Sequence, residues 1–215
     1  MRPLALLLGA SVALAGCAPQ ELALSDDPLT RATTCTAVRA LELRGGSAEQ
    51  RPVSFAGFTE ILHFAMLSAT QDGVAVDVRR LLTVSHRAPT VMQELSEQNW
   101  RSLIEPCNSA FPETQRPAPP LATDPYEAGM TCFGIAEFMS QTAADYPAEQ
   151  RSFAALADRA LEAARPVLRT RAAGEQEAAQ LSGGYTARSF RAGTPASLLE
   201  QCSRRFPPPA PAPPG

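Results

Sequence analysis

The sequence contains one phrase twice, and this repetition constrains the fold more than any other feature. The stretch SLIEPCNSAFP at 102–112 returns as SLLEQCSRRFP at 197–207. The segment AEQR also occurs twice, at 48–51 and at 148–151, so the shared marks keep the same order along the chain. An ordered series of matches at similar spacing indicates a tandem duplication rather than chance.

The N-terminus has a basic residue at Arg2, an apolar stretch from Leu4 to Leu14, and small residues before a cysteine. This pattern is typical of a secretory signal peptide, and it is too short for a membrane-spanning helix. Leu14-Ala15-Gly16-Cys17 resembles the bacterial lipobox. The resemblance implies cleavage before Cys17 and a diacylglyceryl anchor on that cysteine, and Ala18 favours the periplasmic face of the outer membrane. The alternative is an ordinary signal peptide with a chance cysteine.

Four further cysteines follow the lipobox, and each copy of the repeat contains two of them. An even number of cysteines in an oxidising compartment predicts disulfides, and four cysteines allow three connectivities. Because a duplicated module should close on itself, we predict the pairs Cys35–Cys107 and Cys132–Cys202 over the two crossed alternatives.

Each copy carries helix signals. Apolar residues recur at steps of three and four, which predicts core-facing helices; they are Phe55, Phe58, Leu62 and Ala65 in the first copy and Phe153, Leu156, Ala160 and Ala163 in the second. Gly45-Gly46 predicts a helix end, and Pro166 predicts a kink or an end. We therefore predict an all-α fold with two tandem small helical-bundle modules from an internal duplication, each closed by one disulfide.

The duplicated phrase predicts the last helix of each module. Thr194-Pro195 is a typical helix start, and side chains four residues apart share a helix face. The shared face carries Leu198, Cys202 and Phe206 in the second copy and Leu103, Cys107 and Phe111 in the first. Each module has about eighty residues, a size at which one core is marginal, so we expect the disulfide to stabilise it.

Proline-rich composition marks the boundaries between these parts. The predicted divisions are a signal peptide at 1–16, a lipid tether at 17–31, a first module at 32–112, a linker at 113–126, a second module at 127–207 and a tail at 208–215. We expect the linker and the tail to be extended and to stay outside the cores.

Catalytic and metal-binding motifs are scarce. The two histidines, His63 and His86, lie in one copy. Glu60 and His63 match the Glu-x-x-His pattern of di-iron bundles, but the second copy has Asp158 and Leu161 at the corresponding positions. The chain has no Gly-x-Ser-x-Gly elbow and no phosphate-binding glycine loop. We predict no catalytic residues, no metal and no cofactor, and a net charge of -3 predicts no nucleic-acid partner.

Trp100 and Tyr185 are the candidate contacts with a partner. The second copy has Pro195 at the position aligned with Trp100, so the tryptophan lies outside the shared core plan. Packing between the modules is the alternative for Trp100.

The sequence favours a non-catalytic envelope lipoprotein that binds or scaffolds another envelope component, held at the membrane by its lipid. The alternative is a periplasmic chaperone or a toxin-neutralising protein. A small helical unit with one disulfide is similar in layout to periplasmic acid-stress chaperones and to immunity proteins. An enzyme with scattered active-site residues is the third hypothesis.

Overall fold

A computed structural model describes residues 22–49, 51–71, 73, 75–171 and 175–209. Within these ranges the chain forms eight α-helices and no β-strand, which confirms the all-α prediction. None of the described helices is both long and apolar enough to cross a bilayer. The predicted signal peptide, Cys17 and the last six residues of the tail lie outside the described residues.

The first copy contains four helices, one of which is central. They are α1 (Pro28–Leu43), α2 (Phe55–Ala69), α3 (Val78–Ser96) and α4 (Ile104–Ala110). Helix α1 packs against the other three. A short 3-10 segment, Trp100–Leu103, leads into α4. Pro106 lies inside α4 and has no N–H to donate to the carbonyl of Ser102. The α-helical part of this closing segment, α4, is therefore short.

The second copy repeats this plan. Its helices are α5 (Pro125–Thr142), α6 (Pro147–Arg171), α7 (Glu175–Arg191) and α8 (Pro195–Arg205). Helix α5 is central and packs against α6, α7 and α8. Pro166 lies inside α6, which continues to Arg171. Of the predicted kink or end at this proline, the helix end does not occur. One lost backbone hydrogen bond is tolerated in a helix that packs along its length.

The two central helices begin in the same way. The Oδ1 atom of Asp27 accepts a hydrogen bond from the N–H of Thr30 at 2.8 Å, and Oδ1 of Asp124 accepts one from Glu127 at 2.9 Å. A proline follows each cap, where a helix needs no N–H donor. Residues 28–31 of the predicted tether and 125–126 of the predicted linker are therefore the first turns of α1 and α5.

The disulfides have the predicted pairing. Cys35 is bonded to Cys107, and Cys132 to Cys202, with a Cα–Cα distance of 5.4 Å in both bonds. All four cysteines are buried. Helix α8 ends before Pro207, with Leu198 buried beside the disulfide. The duplicated phrase is therefore a closing helix in both copies, as its spacing predicts.

The two copies share one hydrophobic core. The largest cluster of buried side chains contains Met66 and Val84 from the first copy together with Ile135, Met139 and Phe190 from the second. A separate cluster surrounds α1 in the first copy. The copies are therefore packed against each other, a point on which the sequence gives no prediction.

Part of the predicted linker belongs to this core. Ala118 is buried, its N–H donates to Oγ of Ser197 at 2.6 Å, and its carbonyl accepts from Nε2 of Gln201 at 2.9 Å. The N–H of Leu121 donates to Oε1 of the same glutamine at 3.1 Å. An extended segment leaves its backbone groups unpaired, and the side chains of α8 satisfy them. The expectation that 113–126 stays outside the core is therefore wrong for this stretch.

Candidate functional site: the interface between the copies and the α1–α2–α3 groove

An aromatic cluster joins the two copies. Phe55 of α2 lies 5.1 Å from Phe153 and 5.5 Å from Tyr146 between ring centroids, and Phe58 lies 5.2 Å from Tyr146. The Tyr146 hydroxyl also donates a hydrogen bond to the carbonyl of Val53 at 2.9 Å. The residues predicted to face the core of each separate module therefore meet at the interface between them.

His63 connects α2 with the end of α7. The side chain is 1% exposed, and Nε2 lies 2.8 Å from the carbonyl oxygen of Phe190. A carbonyl only accepts, so Nε2 carries the proton and donates it. Burial lowers the pKa of His63 to about 4, while the bond to Phe190 and the charge of Glu113 act in the opposite direction. The imidazole is therefore neutral near neutral pH and satisfies one of the last carbonyls of α7.

The two residues of the predicted Glu-x-x-His pair have different partners. Glu60 forms an ion pair with Arg39 of α1, whose Nε lies 3.0 Å from Oε2, whereas His63 is bonded to Phe190. In the part of the chain that the structure describes, no three metal-ligating side chains come together. Glu60 and His63 therefore stabilise contacts between different pairs of helices.

A groove opens between α1, α2 and α3. Its volume is about 360 Å³, within the range of small-ligand and side-chain pockets. Most of its wall is apolar, and it is lined by Thr36, Ala37, Ala40, Arg44, Phe58, Ile61, Leu62, Ala65, Ser85, Ala88, Pro89, Met92 and Asp145. Because the side chains of the four alanines are small, they leave space between the three helices.

Arg44 and Ser85 place polar groups at this groove. The Arg44 guanidinium donates from Nη1 to the Met92 sulfur at 3.1 Å and from Nε to the carbonyl of Arg51 at 3.2 Å. A thioether is a weak acceptor, so Arg44 can exchange it for an oxygen. Pro89 has no N–H, so the carbonyl of Ser85 has no helical donor. The groove is thus lined by a guanidinium donor, Arg44, and by residues that offer acceptor oxygens, Ser85 and Asp145.

The predicted partner contacts differ in exposure. Trp100 is 4% exposed and packs in the first copy beside Gly46, where a Cβ would lie 3.5 Å from its ring. Such burial does not fit a partner contact, and the packing is within one copy rather than between the two. Tyr185 is half-buried against Tyr126 at 5.7 Å, with the Arg188 guanidinium 4.1 Å from its ring. Burial raises the pKa of Tyr185. Its role as a partner contact stays a prediction.

Sequence reasoning missed the groove residues Ala37, Arg44 and Pro89. The available signal was the proline at position 89 in an otherwise helical stretch, since a helix that keeps such a residue leaves a carbonyl unpaired. Comparisons with protein-family models, curated proteins and solved structures found no match to this chain.

Proposed function

We propose that this protein is a non-catalytic, lipid-anchored component of the cell envelope that binds an apolar segment of another envelope protein. The α1–α2–α3 groove is the observation that carries the proposal. It combines an apolar wall with a donor, the Arg44 guanidinium, and with acceptors offered by Ser85 and Asp145.

This combination fits a polypeptide ligand. A peptide bond offers one carbonyl acceptor and one N–H donor, which match Arg44 and the Ser85 carbonyl. Apolar side chains of the same segment would pack against the four alanines that line the groove. A buried anchor surrounded by a few directed polar contacts is the usual arrangement at protein interfaces.

The lipobox resemblance at Leu14-Ala15-Gly16-Cys17 supports the anchor and the place in the envelope. Mass spectrometry of the N-terminal peptide tests the anchor directly. The proposal requires a diacylglyceryl group on Cys17 and its loss in a Cys17→Ala variant. An unmodified Cys17 in the mature protein would overturn the anchoring.

The groove is tested by photocrosslinking in intact cells. A photoreactive phenylalanine at Ile61 should capture one dominant envelope protein. The variant Ser85→Trp fills the groove and should abolish that capture. Thr90→Trp is the matched control, because Thr90 is exposed on the same helix and does not line the groove. Equal capture in both tryptophan variants would contradict binding in the groove.

A second candidate function, a chaperone that acts on acidification, is favoured by His63. A buried imidazole is tolerated at the interface between the copies only while it is neutral, so protonation of His63 would destabilise this interface. Such a chaperone should bind an apolar dye as the pH falls from about 6 to about 4 and should protect unrelated proteins from aggregation. The variant His63→Gln should shift the onset of dye binding to lower pH. Failure to protect any client would contradict this function.

A further inference from the structure

A small polar pocket lies where the end of α7 meets the first copy. Its volume is about 170 Å³, and its walls include Arg31, Leu67, Ser68, Phe111, Glu113 and Arg191. Arg191 belongs to the second copy, so a ligand bound here would contact both copies. The volume corresponds to about five or six molecules of liquid water, which suits a ligand of few non-hydrogen atoms. The α1–α2–α3 groove is lined by other residues.

Ser68 supplies a buried hydroxyl to this pocket. The residue is 5% exposed, and within the described part of the chain no group forms a hydrogen bond with its Oγ atom. A serine or threonine in a helix can bond to a carbonyl of the preceding turn, as Oγ1 of Thr70 does with Met66 at 3.2 Å. A buried hydroxyl without a partner is uncommon in folded proteins and is unfavourable. A polar ligand in the pocket would give Ser68 that partner.

Charged side chains line the same pocket. Arg31 donates from Nε to the carbonyl of Ser25 at 2.9 Å and from Nη2 to that of Asp26 at 3.0 Å, which uses two of its five N–H groups. The side chain of Glu113 is 15% exposed, and its Oε1 lies 3.5 Å from Nη2 of Arg191. This separation is longer than about 2.9 Å, the usual length of a charge-assisted N–H···O bond. The pocket therefore presents two neighbouring groups of opposite charge together with a second guanidinium.

We propose that this pocket binds a small α-amino acid. The carboxylate and the ammonium group of such a ligand are attached to the same carbon atom, so they lie beside each other, as Arg191 and Glu113 do. The carboxylate binds the guanidinium groups of Arg31 and Arg191, and the ammonium group binds Glu113. The Ser68 hydroxyl donates its hydrogen bond to the carboxylate. This site is separate from the groove and does not depend on the proposed partner.

The carboxylate of Glu113 favours a ligand with both charges over a simple anion. An anion bound to Arg191 would lie beside Glu113 without a compensating positive group, and like charges in contact weaken binding. A simple amine would instead be repelled by the two guanidinium groups. Leu67 and Phe111 provide apolar surface for an aliphatic side chain, and the small volume favours a short one.

Isothermal titration calorimetry of the purified protein with L-alanine tests the site. Propionate and L-alaninamide are close to L-alanine in size, and each lacks one of its two charges. L-Alanine should bind in a saturable manner and at least about 30-fold more tightly than either analogue. Absence of saturable binding of L-alanine below about 10 mM, or equal affinity for propionate, would overturn the proposal.

Glu113→Gln removes the charge that binds the ammonium group. It should weaken the binding of L-alanine at least about 30-fold and should change the binding of propionate much less. Glu105→Gln is the matched control, because Glu105 is an exposed carboxylate of the same copy that does not line the pocket. This control should keep the affinity for L-alanine. Equal weakening in the two variants would contradict binding in this pocket.

Ser68→Ala separates a role in ligand binding from a structural one. It removes a buried hydroxyl that is unpaired among the described residues, so the urea midpoint of the unliganded protein should not fall. The same variant should bind L-alanine about tenfold more weakly, because a hydrogen bond to a charged group is lost. A lower midpoint with unchanged affinity would show a structural role and would remove Ser68 from the site.

Discussion

The two copies share a plan but differ in one residue of the central helix. In the second copy, Gly134 of α5 faces α7, and a Cβ at this position would lie 2.6 Å from Oγ1 and 2.9 Å from Cα of Thr186. In the first copy, the aligned residue two positions after the cysteine is Ala37, and it lines the α1–α2–α3 groove. Close approach of α5 and α7 at this point thus requires glycine, and the first copy has a methyl group at the aligned position.

This difference shows how a duplicated fold can differ locally while it keeps its architecture. The central helix, its Asp-Pro start and the disulfide are common to both copies and maintain the architecture. Helix separation varies with the size of a few facing residues. The second copy uses Gly134 for a close contact between α5 and α7, and the first copy has Ala37 in the wall of the α1–α2–α3 groove.

Removal of a disulfide should have the largest effect and should be similar in the two copies. Each bond closes a loop of 72 or 70 residues, so the variants Cys35→Ala/Cys107→Ala and Cys132→Ala/Cys202→Ala should each lose about 4 kcal/mol of unfolding free energy. Urea denaturation of each double variant measures the loss. The two disulfides would not have equivalent roles if removal of one lowered the unfolding free energy by less than about 1 kcal/mol while removal of the other unfolded the protein. That result would contradict the prediction.

His63 should make the stability of the protein depend on pH, and only the first copy supplies such a residue, since the corresponding residue of the second copy is Leu161. The pKa of His63 is about 4 in the folded protein against an ordinary value of 6.5. The unfolded chain therefore takes up a proton first as the pH falls, and stability decreases between about pH 6.5 and about pH 4. The decrease should reach about 3 kcal/mol.

The variant His63→Gln isolates this contribution. Glutamine keeps an N–H donor for the carbonyl of Phe190 but does not titrate. Urea denaturation at a series of pH values should show a shallower loss on acidification than in the unmodified protein. His86→Gln is the control, because His86 is exposed, and it should leave the pH profile unchanged. Identical profiles for His63→Gln and the unmodified protein would contradict the role of the buried imidazole.

The sequence predicted the parts of the fold that repeat. The spacing of Cys107 and Cys202 within a duplicated phrase identified the closing helices, and the disulfide pairing followed because a duplicated module should close on itself. The helix boundaries were less predictable. The prolines of Asp27-Pro28 and Asp124-Pro125 lie next to proline-rich or polar stretches, and in the fold each pair caps and starts a helix.

The candidate site was less predictable because it depends on distances between helices. The sequence shows Ala37 against Gly134, but it does not show that α7 approaches the glycine while α3 leaves a groove beside the alanine. Trp100 was misassigned for a related reason. A residue without a counterpart in the other copy was interpreted as a partner contact or as packing between the modules, whereas the short 3-10 segment places it in the core of the first copy.

Gly134→Ala tests the packing difference directly. The new methyl group would overlap the backbone of α7, so we expect a loss of about 2 kcal/mol from overpacking. Gly183→Ala is the control, since a Cβ at Gly183 in α7 meets no atom within 4 Å. This control should stabilise the protein by about 0.5 to 1 kcal/mol through helix propensity. Thermal denaturation of both variants measures the contrast, and equal stabilisation by both would refute close packing at Gly134.

Tyr146→Phe should have the smallest effect and tests whether the copies act as one folding unit. The variant keeps the aromatic ring between Phe55 and Phe58 and removes only the hydrogen bond to the carbonyl of Val53. The hydroxyl is partly accessible, and water can replace it, so the loss should be about 1 kcal/mol or less. If the copies unfold together, near-UV circular dichroism and helix content should shift to lower urea concentration by the same amount. Separate transitions for the two signals would contradict this. They would show that the copies unfold independently and that the shared core does not couple them.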